Sequence, residues 1–342
     1  MRLLQAMAGA PHGGAEAFFT RLAVAFAKRG VDQRVVIRPQ ADRVAALESA
    51  GVPVVTQPFG GFFDRRTTRG LRREIARWRP RVALTWMNRA TRLFPRRAAG
   101  SETLHVARLG GYYDLKYYRH CDHLVGNTPD IVDYLVAQGW PAARAHYLPN
   151  FVFADAMPPV PRGSLNTPDD APLLLALGRL HANKAFDVLL DALAHLPDRW
   201  LWLAGTGPLE AALKDQAERL GVLPRVRFLG WRDDVPALLA AADVLVCPSR
   251  HEPLGNVVIE AWAHAVPVVA AAAAGPAHLI DDGKTGLLVP KEDAAALAEA
   301  IDRAQGQCAA DLVAAGHAAF EADYTEEAVV DRYLAFFDMV AG

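Results

Sequence analysis

Cysteine is scarce in this chain. Cys121, Cys247 and Cys308 are odd in number and far apart, and no Cys-x-x-Cys pair occurs. Such spacing argues against a disulfide framework or a structural zinc site and fits a reducing cytoplasm. No apolar run reaches the roughly 20 residues that a membrane-crossing helix needs. The opening segment 1–7 is too short for a signal peptide and reads as a first strand. The Gly-x-Gly-x-x-Gly spacing of a dinucleotide fingerprint is missing, which weighs against an NAD(P)-dependent oxidoreductase. Asp-x-Asp is missing too, so no chelated divalent ion is signalled, and neither a metal nor a cofactor is expected. Acidic residues are few in the first half. Residues 1–150 hold 23 Lys and Arg against 11 Asp and Glu, a net of +12, and the remainder holds 14 against 27, a net of −13, which together recover the overall −1. A basic half joined to an acidic half implies an anionic partner for the first.

At 342 residues the chain exceeds one comfortable core, and two domains are expected. Apolar runs mark strands over 3–8, 33–37, 52–57, 82–87, 104–109, 123–126 and 146–148. A second series covers 173–177, 200–204, 226–229, 244–247, 268–272 and 286–289. Helical patterns fall between several of them, as at 15–29 and 67–78. The alternation predicts an α/β fold of two Rossmann-like halves, each a doubly wound parallel sheet, facing a central cleft. The Pro-rich polar stretches 155–164 and 166–170 read as the linker. The expected domains are 1–155 and 156–322. The tail 324–340 is amphipathic through Val329, Val330, Tyr333, Leu334, Phe336 and Phe337, and a C-terminal helix within 323–342 is free to pack back on the first half.

The most informative stretch runs from Ser249 to Trp262. It follows an apolar strand, is punctuated by Pro253 and Gly255, and turns helical near Asn256. Glu252 and Glu260 are eight positions apart, roughly 12 Å and 80° off a common face on one helix, which is poor for a side-by-side acid–base pair. Placing Glu252 in the loop and Glu260 past the first helical turn leaves free N–H groups from about Gly255 to Val257, an anion site. The stretch then offers an acidic group, a diphosphate cradle and a second acidic group, which suits a sugar–diphosphate–ribose ligand. An ordinary strand–loop–helix with two solvated carboxylates has the same pattern.

Other constellations support that reading. Gly178-Arg179-Leu180-His181-Ala182-Asn183-Lys184 follows a strand, and Arg179 and Lys184 could neutralise a leaving diphosphate. The Gly-rich turns from Gly9 through Pro11 and His12 to Gly13-Gly14, and Gly205-Thr206-Gly207-Pro208, open helices, with Pro208 placed at the first helical position. Plain tight turns look alike. Arg65, Arg66, Arg69, Arg72, Arg73, Arg77, Arg79 and Arg81, then Arg89, Arg92, Arg96 and Arg97, form a basic tract with Leu71, Ile75 and Trp78 at helical spacing. It reads as a membrane-surface element or a patch for an anionic ligand; a solvated helix face is the alternative. Tyr112, Tyr113, Tyr117 and Tyr118 beside Lys116 and Arg119 could hold sugars and phosphates, or pack a core. His105, inside an apolar strand, reads as a core histidine.

Together these pieces resemble the retaining glycosyltransferases of family 4, which have the GT-B fold. Glu252 and Glu260 look like the family's E-x7-E motif, Gly178-Arg179 with Lys184 like its donor-diphosphate pair, and Gly13-Gly14-Ala15-Glu16 like its N-terminal glycine loop. Leu148–Val152, Gly275-Pro276 and the stretch from Asp282 to Pro290 match in order and spacing. The resemblance implies that Glu260 holds the ribose hydroxyls, Glu252 faces the donor sugar, and the backbone of Leu254, Gly255, Asn256 and Val257 holds sugar and phosphate. Gly205, Gly207 and the turn bearing Trp231 and Arg232 would line the base pocket. Transfer would proceed with retention, the leaving phosphate taking the acceptor proton, and domain closure would exclude water. Many relatives carry a histidine near the sugar; His105 comes too early for it, and Arg108 is the substitute considered.

The expectation is a cytoplasmic, metal-independent, retaining hexosyltransferase, peripheral at the inner face of the plasma membrane. Its donor is a nucleotide-diphosphate sugar, UDP-linked before GDP-mannose. Its acceptor is an anionic glycan or glycolipid such as a lipopolysaccharide core, met by Arg65, Arg66, Arg69, Arg108, Tyr112, Tyr113 and Lys116. Contact with an anionic membrane surface is expected and nucleic acid is not. A GT-B phosphorylase or nucleotide-sugar epimerase, and a non-enzymatic membrane- or nucleic-acid-binding module, are the alternatives.

Overall fold

A computed structural model of the chain describes residues 1–10, 13–61, 64–96, 102–306 and 308–342. Pro11, His12 and Arg97 lie outside the described residues. The chain divides into two compact units, Met1–Phe151 with Glu326–Gly342, and Val152–Thr325.

Among the described residues of the first unit, seven strands form one parallel sheet. They are β1 (Arg2–Met7), β2 (Asp32–Ile37), β3 (Val54–Thr56), β4 (Val82–Trp86), β5 (Leu104–Leu109), β6 (His123–Gly126) and β7 (Ala145–Tyr147), in the order β3-β2-β1-β4-β5-β6-β7. Helices α1 (Gly14–Lys28), α2 (Ala41–Ser49), α3 (Arg65–Trp78), α4 (Met87–Leu93) and α5 (Pro129–Ala137) cover it. The period-two side-chain alternation of a strand separates two apolar layers. Leu3, Val35, Val82 and Leu84 pack against Phe19, Leu22 and Phe26 of α1, while Leu4, Ala6, Val36 and Ala83 pack against Leu71 and Trp78 of α3.

In the second unit six described strands are again parallel: β8 (Leu173–Leu177), β9 (Trp200–Ala204), β10 (Val226–Gly230), β11 (Val244–Cys247), β12 (Val268–Ala271) and β13 (Leu287–Val289), ordered β10-β9-β8-β11-β12-β13. Helices α6 (Phe186–Ala194), α7 (Glu210–Arg219) and α11 (Ala294–Gln305) pack one face. On the other lie α8 (Val235–Ala241), α9 (Asn256–Ala263), α10 (Ala274–Leu279) and α12 (Ala309–Asp323). The strand order reverses between β8 and β11, which places a ligand crevice at the carboxyl ends of those two strands.

Two expectations need correction here. The Pro-rich stretch is no free linker. Arg162 donates to the carbonyls of Ala171 (2.7 Å) and Ala241 (2.8 Å) and to both oxygens of Asp243 (3.0 Å each), so acceptors just before β8 and β11 and at the end of α8 hold the segment on the second unit. Pro208 is not at a helix start either: α7 begins at Glu210, with Leu209 as its cap.

The C-terminal helix α13 (Glu326–Ala341) belongs to the first unit and buries Val329, Val330, Tyr333, Phe336 and Phe337 there. The rings of Tyr333 and Phe337 each sit 5.9 Å from Phe26. Arg108 is the polar anchor. It is only 2 % exposed. Its Nε donates to Tyr333 Oη at 2.8 Å, a second nitrogen donates to Asn150, and the guanidinium lies 4.7 Å from the rings of both Phe18 and Trp86. The proposed acceptor role of Arg108 is therefore withdrawn: a cation whose contacts are all inside the core cannot meet a glycan. Arg81 of the basic tract is likewise engaged, donating to the carbonyl of Ala341 at 3.1 Å. Removing one bond to a buried charge costs about 1.5–3 kcal/mol. Tyr333→Phe should lower the urea-unfolding free energy by that order, and an unchanged midpoint would refute the anchoring role.

His105 is buried, with its Nε2 2.9 Å from Thr85 Oγ1 and Phe94 packed on its ring at 4.2 Å. Burial, and then the neighbouring His120, push its pKa down from 6.5 to about 3. Its folded pKa is thus depressed, so the unfolded chain binds the extra proton between those values. Stability is lost as pH falls from about 6.5 toward 3, by up to about 1.4 kcal/mol per pH unit. His105→Gln should flatten that part of a stability–pH curve, and an unaltered slope would exclude the assignment.

Candidate active site

The loops that follow β8, β9 and β11 meet at the crevice. The first two touch backbone to backbone. Gly178 (φ 148°) donates its N–H to the Ala204 carbonyl at 3.0 Å, and Gly205 (φ 143°) donates to the Gly230 carbonyl at 2.7 Å. A Cβ on Gly205 would lie 1.9 Å from the Gly178 carbonyl oxygen, and one on Gly207 would lie 2.3 Å from that of Leu180. These glycines are required because no side chain fits between the loops. Beside them opens a cavity of about 330 Å³ lined by Leu177, Gly178, Arg179, Ala204, Gly205, Thr206, Trp231, Arg232 and Val235. Trp231 is 81 % exposed, a flat apolar surface on the rim. The Arg232 guanidinium is oriented by Asp234, its Nε donating at 2.7 Å.

Lys184 and Glu252 complete the crevice. Lys184 Nζ donates to Glu252 Oε2, joining the loops after β8 and β11. Both side chains are largely buried, at 22 % and 11 % exposure. The ammonium has three donors; among the described residues Glu252 takes one, so two remain for a ligand. The Lys184 side chain runs over Gly178, where an added Cβ would lie 3.0 Å from its Cε. Arg179 is exposed and has no ion pair among the described residues. Two cations, one free and one poised, thus flank the backbone of Gly178.

Arg250 sets this geometry from behind. It donates to the two oxygens of Asp187 at 2.7 and 2.5 Å, to Glu292 at 3.0 Å and to the Ala182 carbonyl at 2.9 Å. The His251 N–H adds a bond to the Asn183 carbonyl at 3.1 Å. The loop of Glu252 is therefore tied to the turn of Lys184 on both sides. The bond from Arg250 is the main cause that holds the Asp187 carboxyl below its ordinary range, and the Asp187 and Glu292 bonds push the guanidinium further up. Glycine again allows close approach: Gly275 donates to the Glu252 carbonyl at 2.7 Å, and its Cβ would lie 2.6 Å from the carbonyl carbon of Leu254.

Helix α9 starts at Asn256 after Gly255 (φ 74°). Contrary to the sequence expectation of free N–H groups from about Gly255 to Val257, not all of them are free. That of Gly255 points at Glu252 Oε1 at 3.4 Å, and that of Val258 bonds the Gly255 carbonyl at 2.8 Å. Asn256 and Val257 keep the opening turn of the helix, with Leu254 just before it. Glu260, half-buried, follows one turn on.

The remaining candidates belong to the first unit. Gly13 precedes α1, and Gly14 begins it. Glu16 closes that turn by accepting from the Ala10 N–H at 2.6 Å. Arg65, Arg66 and Arg69 are exposed on α3. Tyr112 donates to Asp130, and Lys116 pairs with Asp114 at 2.6 Å, both at the surface where such pairs are readily exchanged. Tyr113 is half-buried. Sequence reasoning missed the clamp of Arg250, Asp187 and Glu292. Their separations of 63 and 42 residues leave no local signal. It also missed Thr206 and Val235 in the cavity wall. Among the described residues no three His, Cys, Asp or Glu side chains converge as metal ligands, and no helix is long and apolar enough to cross a membrane.

The family described as Glycosyl transferases group 1 matches residues 171–306, and the Glycosyl transferase 4-like domain matches residues 13–150. The lipopolysaccharide core biosynthesis glycosyltransferase LpsE of Rhizobium meliloti (strain 1021) is 37 % identical over 330 residues, covering 94 % of this chain and 95 % of that protein. LpsD of the same strain is 35 % identical over 338 residues, covering 95 % of each. The crystal structure of Anabaena Alr3699/HepE in complex with UDP superposes with a TM-score of 0.86 at 22 % identity, over 99 % of this chain and all 100 % of that one, and shows the same fold.

The Gly178–Gly205 contact generates a direct test. Gly205→Ala forces the two loops apart and should destabilise the protein by about 1–3 kcal/mol from the backbone strain alone. It should also abolish any thermal stabilisation by nucleotides. Wild-type nucleotide protection in this variant would show that the cavity is not where they bind.

Proposed function

The chain belongs to the group 1, family 4 glycosyltransferases of GT-B fold and acts on a nucleotide sugar; on that premise we propose that it is a metal-independent, retaining hexosyltransferase that uses a UDP-sugar and glycosylates an anionic, lipopolysaccharide-core-type acceptor. The donor assignment draws support from the UDP held by the Anabaena neighbour. The acceptor assignment draws support from the names of LpsE and LpsD and from the net +12 of residues 1–150. The work would be done at the inner face of the plasma membrane, with the exposed arginines of α3 turned to an anionic surface.

The observation that carries this reading is the pairing of Lys184 with Glu252 over Gly178, beside the cavity that Arg179 and Trp231 line. In the proposed complex the base stacks in that cavity and the diphosphate lies on the Gly178 backbone between Arg179 and Lys184. Glu260 takes the ribose hydroxyls. Glu252 holds Lys184 in place and faces the sugar, and the backbone from Leu254 to Val257 borders sugar and phosphate. As the anomeric carbon–oxygen bond breaks, negative charge grows on the departing diphosphate, and the two cations stabilise it where it develops. The same oxygen takes the proton of the attacking hydroxyl as the new bond forms on that face, so no dedicated side-chain base is needed.

Arg179→Ala and Lys184→Ala should each lower kcat by about 10²–10³-fold while weakening UDP-sugar binding far less. Equal losses in rate and binding would exclude leaving-group stabilisation. A thermal-shift panel of UDP-, GDP-, ADP- and TDP-sugars should single out the UDP series. Activity should survive EDTA; loss restored by manganese would overturn the metal-independent reading.

A further inference from the structure

We propose that the recess between α3 and α4 is a subsite for a phosphate monoester carried by the acceptor. This rests on the anionic-acceptor reading above and narrows it to one chemical group at one place. The recess has a volume of about 500 Å³ and is lined by Asp64, Arg65, Thr68, Arg69, Arg72, Arg92 and Leu93. Thr68 Oγ1 donates to the Leu93 carbonyl at 2.9 Å and ties the two helices together there. Arg65, Arg69 and Arg72 stand at i, i+4 and i+7, so they form one stripe on a helix of about 3.6 residues per turn. Arg92 comes from α4.

Among the described lining residues, the charge of Arg65, Arg69 and Arg72 is not neutralised from within the recess. Its one carboxylate, Asp64, caps α3: it accepts from the Thr67 N–H at 3.0 Å, the Gly60 N–H at 2.7 Å and the Thr67 hydroxyl. Arg65, Arg69 and Arg72 make no ion pair among the described residues. Some arginines elsewhere are paired, as Arg34 is with Glu74 at 3.3 Å and Arg162 with Asp243 at 3.0 Å. Like charges three and four residues apart destabilise a helix, so the stripe costs stability unless an anion joins it. Guanidinium forks match the oxygens of a phosphate better than a point charge does. A concave site of this size admits one phosphate and part of a sugar. The second stripe of α3, Arg66, Arg73 and Arg77, is rotated by roughly 100° and lines no part of the recess.

That second stripe provides the control. Binding of glucose 6-phosphate to the full chain would be followed by calorimetry, alongside UDP-induced thermal stabilisation. The sugar phosphate should bind, and more tightly as pH rises through about 6, where the monoester becomes a dianion. Arg69→Gln with Arg72→Gln should weaken it at least about tenfold. Arg73→Gln with Arg77→Gln, which removes the same charge, should weaken it by less than about twofold. Arg69→Lys with Arg72→Lys keeps the charge, loses the fork and should fall between. UDP stabilisation should persist in every variant. Equal losses in both Gln pairs would replace the subsite by a diffuse field and overturn the proposal. Binding to phosphatidylglycerol vesicles but not to glucose 6-phosphate would overturn it in favour of a lipid surface. No binding of sugar phosphate with UDP stabilisation intact would refute the subsite and leave the transferase reading standing. Sugar-phosphate binding without any UDP stabilisation would support the subsite and refute the donor reading.

Discussion

The crevice of the second unit depends on one ion pair. Lys184 and Glu252 come from loops after β8 and β11, the two strands between which the sheet order reverses. Paired charges that are largely buried are costly to separate, because each would be left without its partner in a poorly solvated place. The pair therefore acts as a fixed rung across the crevice. Arg250 holds the same two loops from outside through Asp187, Glu292 and the Ala182 carbonyl. Gly275 holds the Glu252 backbone from the third side. Lys184, one of the two cations that would meet a diphosphate, is positioned before any ligand arrives, which is the condition for electrostatic stabilisation to aid the chemical step.

Arginine serves opposite purposes in the first unit. Arg108 is enclosed by two aromatic faces, a tyrosine hydroxyl and an asparagine, and it fixes α13 to the core. The arginines along α3 face outward with almost no carboxylates nearby. The residue type is the same, and the surroundings decide whether its charge is internal structure or available to an anion. The charge asymmetry between the two halves of the chain thus divides into buried struts, Arg108 and Arg43, and an exposed surface.

Membership of the glycosyltransferase family and the geometry of the crevice explain each other. In the proposed reaction the charge of a leaving diphosphate needs stabilising, and Arg179 and Lys184 flank the backbone of Gly178. The loops after β8 and β9 could not pack with any larger residue at Gly205.

Much of this was legible in the sequence, for identifiable reasons. Parallel strands buried on both faces read as short continuous apolar runs, so strands such as Leu104–Leu109, His123–Gly126 and Val244–Cys247 were found with their observed limits. The E-x7-E spacing and the glycine-rich turns are local patterns that survive in one dimension. Pairings across long separations do not. The Arg250 clamp joins residues 63 positions apart, and Arg108 meets Tyr333 across 225. Arg108 looked like a ligand-facing cation because nothing nearby in sequence announced the aromatic cage that surrounds it. Sequence alone determined the alternation of elements, the family and the residue types at the crevice, since these rest on local periodicity and spacing. Only the tertiary structure decided which charges are spent on one another and which stay free, because that depends on which distant side chains come within hydrogen-bonding reach.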